Sequence, residues 1–115
     1  QLIAFQGAFH GRTTGAISLN SSKSRQRAFF GPLMPGVHHV PFGSLEAITE
    51  ELFVNRVDPK EVAAIIVEPI LGEGGYVHPP ASFLQGLRSI CDQHGIVLVF
   101  DEIQSGVGRT GRMFA

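Results

Sequence analysis

Several short stretches of this chain carry side chains fit for chemistry. Asp101-Glu102-Ile103-Gln104 closes an unbroken apolar run, Ile96–Phe100, and leads into Gly106-Val107-Gly108-Arg109-Thr110-Gly111. An acid at the carboxyl end of a buried strand is a candidate ligand contact, because open α/β sheets bind ligands at that edge. The plainer reading is that Asp101 caps a turn. Glu68-Pro69-Ile70-Leu71-Gly72-Glu73-Gly74-Gly75 places an acid at each end of a glycine loop, which would otherwise be a solvated turn. Phe9-His10-Gly11-Arg12 sets an aromatic, an imidazole and a guanidinium in a glycine-flanked turn. An arginine so placed suits bidentate recognition of a carboxylate or phosphate, against the plainer readings of a surface Arg and a core Phe. The glycines at 106–111 invite a phosphate-loop reading. They lack the Lys-Ser/Thr ending and follow the acid instead of preceding it, so a turn for close backbone packing fits better.

The elements that must position these residues can be read from the pattern. Ile96-Val97-Leu98-Val99-Phe100 runs without alternation, the mark of a strand buried on both faces in a parallel sheet. Val62–Val67 is a second such run and also ends on an acid, Glu68. Between them, Phe83, Leu84, Leu87, Ile90 and Cys91 follow the helical period, which predicts a helix from about Ala81 to His94 stopped by Gly95. Strand, loop, helix and strand make a βαβ unit with a right-handed crossover. Gln1–Phe5 and Val37–Val40 read as short strands, and Thr14–Leu19 as one or two helical turns. Asn20–Gly36 is an irregular excursion rich in Gly and Pro. Ser44 is a fitting N-cap for a helix through about Val54, with Leu45, Ile48 and Leu52 on one face. The fold class is therefore α/β, a mainly parallel sheet with flanking helices, and residues 1–115 show no linker that would divide them.

Composition narrows the function classes. Nine basic against ten acidic residues give a net charge of −1, and no basic patch argues for nucleic acid. No apolar stretch approaches the length of a membrane span. The single cysteine, Cys91, cannot form an intrachain disulfide and lies on a helix's apolar face. His38 and His39 are adjacent, so in a strand they point to opposite faces, and no Cys/His cluster proposes a metal. The strand with Asp101 also imitates the acidic strand of magnesium-dependent nucleotide hydrolases. That alternative needs a glycine-rich lysine loop, and neither Lys23 nor Lys60 sits in one. The chain starts on Gln1, not Met, and reads as an internal part of something longer.

GAFHGRT, VEPILGEGG and DEIQSGVGRTG, in this order and spacing, together with FGPLMPGVHHVPF, resemble the class III (omega) aminotransferases. These are pyridoxal-phosphate enzymes of fold type I, and the closest flavour is 4-aminobutyrate aminotransferase. The resemblance implies that residues 1–115 belong to the large, cofactor-binding domain. It implies that Asp101 pairs with the pyridine nitrogen, that Phe9 and Ile103 flank the ring, and that Gln104 bonds its phenolic oxygen. Arg12 would bind a substrate carboxylate, and Glu73 would gate a second arginine lying downstream. Glu68 and His10 would support these groups from behind. The position of Leu71 often carries Gln in the aminobutyrate enzymes, so the exact substrate stays open. The Schiff-base lysine is expected downstream of Ala115, and the chain alone is expected to be inactive. The implied reaction is ping-pong transamination between an omega-amino acid and a 2-oxo acid, 2-oxoglutarate by resemblance. An amino-acid racemase or epimerase on the same fold is the alternative. A homodimer in the cytosol, or in the mitochondrial matrix, completes the expectation.

Overall fold

The computed structural model describes residues 1–115 in full. In chain order it contains β1 (Leu2–Phe5), α1 (Thr14–Leu19), a 3-10 turn at Ser24–Gln26 and β2 (Val37–Val40). A π-helical segment, Ala47–Leu52, then runs into one α-helical turn, α2 (Phe53–Asn55). After a 3-10 turn at Pro59–Glu61 come β3 (Ala64–Val67), α3 (Phe83–His94) and β4 (Val97–Phe100). The four strands form one sheet in the order β2-β1-β3-β4, and every pair is parallel.

The strand registers decide which side chains share a face. Ile3, His38, Ile65 and Leu98 are level with one another, as are Phe5 with Val40 and Val67 with Phe100. Ile3, Phe5, Val40, Ile65 and Val67 meet the π-helical segment and α3 in a single core with Ile48, Leu52, Phe83, Leu87, Ile90 and Cys91. At its centre Phe5, Phe42 and Phe83 pack edge to face, with centroids 5.3 to 5.9 Å apart. Each such pair adds roughly 0.5–1.5 kcal/mol beyond the area it buries. Cys91 is a free, buried thiol in this core, and burial pushes its pKa up. On the opposite face α1 touches β2, where His39 Nε2 lies 3.0 Å from the Leu19 carbonyl. Burial lowers the His39 pKa, and that hydrogen bond opposes the shift.

Several boundaries differ from the sequence reading. The strand expected over Val62–Val67 begins at Ala64, because Val62 N closes the preceding 3-10 turn on the Pro59 carbonyl. The helix expected from Ala81 begins at Phe83 and ends as anticipated, with Gly95 left-handed at φ 70°. The segment after Ser44 is mainly π-helical, although Ser44 Oγ does accept the Ala47 N–H at 3.2 Å. The larger correction concerns β4. It lies at the sheet edge, with Val97 59%, Val99 41% and Phe100 42% exposed, so it is not buried on both faces. An uninterrupted apolar run reports the faces a strand can bury, and within this chain Ile96 lies in the core and Leu98 is packed against it. No helix is long and apolar enough to cross a membrane.

Candidate functional site

Three strands deliver their carboxyl ends to one place. β1 runs into the turn that carries Phe9 and His10, β3 into Glu68, and β4 into Asp101, whose N–H donates to the Val67 carbonyl at 2.8 Å. Because all strands are parallel, these ends share one edge of the sheet. There Phe9, His10, Gly11, Glu68, Asp101, Ile103 and Gln104 line a cleft of about 300 Å³. Phe9, Asp101, Ile103 and Gln104, the residues that the resemblance put around a cofactor ring, are all in that lining.

Asp101 is held on both oxygens. His10 Nδ1 lies 2.7 Å from Oδ2, and Ile103 N donates to Oδ1 at 3.2 Å. A carboxylate can only accept, so His10 Nδ1 is the donor. The His10 side chain is 4% exposed while that of Asp101 keeps 19%, which leaves the carboxylate open to the cleft. The second His10 nitrogen, Nε2, is buried without a partner. His10 is itself fixed from its backbone: its N–H donates to Asn20 Oδ1 at 2.6 Å, and Asn20 Nδ2 donates to the Gly11 carbonyl at 2.8 Å. Asn20 is wholly buried and was missed in the sequence, because it opens the excursion at 20–36, where no periodicity marks a supporting side chain.

Glu68 is buried, at 5% exposure, and accepts from Phe9 N at 2.8 Å and Gly72 N at 2.9 Å. The Gln104 amide sits directly over Gly72, so a Cβ at that position would overlap it. A side chain at 72 would therefore push the exposed Gln104 amide out of this position.

Arg12 and Glu73 do not line the cleft. Arg12 is exposed, with its guanidinium carbon 5.6 Å from the centroid of the Phe9 ring and no acidic partner. Glu73 is paired with Lys23 at 3.2 Å, both side chains being about 40% exposed. A pair so open to water is worth at most about 1 kcal/mol, so Glu73 can exchange partners at little cost. The 106–111 loop folds on its own backbone, with Val107 N donating to the Met113 carbonyl and Gly108 N to the Arg112 carbonyl.

Comparison with known proteins gives one consistent picture. The class-III aminotransferase family profile matches residues 1–115. The ornithine aminotransferase of Toxoplasma gondii is 36% identical with a TM-score of 0.88, over 99% of this chain and 26% of that one. An amine transaminase from an uncultivated Pseudomonas species, in its PLP-bound form, is 27% identical with a TM-score of 0.89, over 99% of this chain and 29% of that one. A Bacillus anthracis aminotransferase, 24% identical with a TM-score of 0.87, shares the fold over 99% of this chain and 28% of its own. The chain therefore spans between a quarter and a third of the length of these transaminases. These matches overturn the nucleotide-hydrolase alternative.

Proposed function

The chain belongs to the class-III aminotransferase family, and on that premise we propose that it forms the cofactor floor of a transaminase acting on 4-aminobutyrate-like omega-amino acids. In this reading residues 1–115 are part of the large domain of a homodimer of the relatives' length, and 2-oxoglutarate is the amino acceptor. The observation that carries it is the common cleft of Phe9, Asp101, Ile103 and Gln104.

The residues present fit pyridoxal phosphate. An aromatic and a branched aliphatic side chain offer flat apolar walls, an anion stands at the end of a strand, and an amide offers a donor for an oxygen. When bound, pyridoxal phosphate supplies an electron sink for the charge that develops as a substrate carbon loses its proton. Asp101 would keep a proton on the ring nitrogen, since a carboxylate nearby favours the charged pyridinium. His10 holds Asp101 in place for that task. Phe9 and Ile103 would cover the two faces of the group once it is bound, Ile103 being exposed and free to do so, and Gln104 would donate to its oxygen. Arg12, whose guanidinium has no acidic partner, binds the substrate carboxylate remote from the reacting amine. Glu73 serves as the gate that an arginine outside this chain engages or leaves, and the weak Lys23 pair does not hinder it. Neither Lys23 nor Lys60 lines the cleft; in this reading the lysine that moves the proton is the one that the family resemblance puts downstream of Ala115.

The test is an absorbance spectrum of the intact protein loaded with pyridoxal phosphate. Addition of 4-aminobutyrate is expected to move the cofactor band to shorter wavelength, and 2-oxoglutarate to restore it. A band that ignores 4-aminobutyrate removes the substrate assignment. Inversion of a single amino acid without any acceptor would establish the racemase instead.

A further inference from the structure

We infer that Glu68 is a positioning residue whose carboxylate straps the Phe9 turn to the Gly72 loop and so sets the spacing of the cleft walls. The inference rests on the reading of that cleft as the cofactor site. Its basis is a buried acid that faces no cation. Instead, each oxygen takes one backbone N–H: Oε1 that of Phe9 at 2.8 Å, Oε2 that of Gly72 at 2.9 Å. The first donor lies 59 residues before Glu68 and the second four residues after it, so one side chain joins two separate loops. A buried carboxylate without such donors would be strongly unfavourable, which makes both bonds obligatory partners of the charge.

What the strap reaches explains its position. Phe9 precedes His10, which holds Asp101. Gly72 is the seat of the Gln104 amide. Through two hydrogen bonds Glu68 thereby fixes the aromatic wall on one side and the amide on the other, and it lines the cleft itself. Only a group with two acceptor oxygens on one carbon can do this. A glutamine offers one acceptor and one donor, and its NH₂ would face one of the two backbone N–H groups.

The experiment uses the intact protein and begins with amide hydrogen exchange of the apo form. Corrected for intrinsic rates, the Phe9 and Gly72 amides of the wild type are both expected to be protected, since each is bonded to a buried oxygen of Glu68. In Glu68→Gln at least one of the two amides, the one left facing the NH₂, should exchange faster while β1 and β3 amides keep their protection, and the Kd for pyridoxal phosphate should rise about tenfold or more. Gly72→Ala should weaken cofactor binding similarly but leave the Phe9 amide protected. The inference is overturned if either amide of the wild type exchanges at its intrinsic, unprotected rate, or if Glu68→Gln binds the cofactor within about twofold of wild type. Should Glu68→Gln fail to fold, the wild-type exchange comparison still decides. A wild type that binds no pyridoxal phosphate would sink the proposed function and leave the exchange test standing.

Discussion

At the scale of single residues, the site depends on how each functional atom is held. Asp101 takes its one side-chain partner, His10 Nδ1 at 2.7 Å, from a side chain that is almost wholly buried. Replacing His10 with alanine leaves Asp101 Oδ2 to water, with only the Ile103 N–H on Oδ1. By the scale of outer-shell partners of metal ligands, the expected loss in kcat is about ten- to a hundredfold, with KM for the amino donor little changed. His10→Asn, whose amide nitrogen can stand near the position of Nδ1, should recover part of it. Steady-state kinetics on the two variants check this, and alanine activity equal to wild type would show that Asp101 needs no such partner. Asp101, Glu68 and Phe9 were legible in the sequence because strand ends and glycine turns mark them. The His10–Asp101 bond was not, since 91 residues separate the two and only the parallel pairing of β1, β3 and β4 brings them together.

At the scale of elements, the apolar runs and the Phe83–Cys91 periodicity identified β3, β4 and α3, because burial patterns survive in a linear reading. Element ends were less legible. Ala63 N donates to the Gln1 carbonyl, outside the β3 ladder, and Phe83 N closes a turn on the Pro80 carbonyl. Neither contact leaves a residue-type signature. The π-helical widening at 47–52 is likewise invisible, since the spacing of Leu45, Ile48 and Leu52 suits either helix. The elements are joined through Phe83, which is 1% exposed and packed against Phe5 and Phe42 at 5.5 and 5.3 Å. Phe83→Ala should cost about 3–5 kcal/mol, read from the denaturant midpoint of the intact protein. A cost under about 1 kcal/mol would mean that α3 is not anchored there.

At the scale of the molecule, the chain is a slab of 37 × 36 × 18 Å with β4 along one edge. Val97, Val99, Ile103, Met113 and Phe114 are exposed around that edge. An unpaired strand with apolar side chains is a template for association. The 115-residue chain on its own is therefore expected to self-associate at micromolar concentration, and sedimentation velocity checks it. A stable monomer with no affinity for a hydrophobic dye would contradict this.

In the proposed site Asp101 faces the ring nitrogen of pyridoxal phosphate. The most direct test of this contact is the ¹⁵N resonance of cofactor labelled at that nitrogen and bound to the intact protein. A pyridinium shift is expected in the wild type and a move toward neutral pyridine in Asp101→Asn. The same shift in both proteins would contradict it.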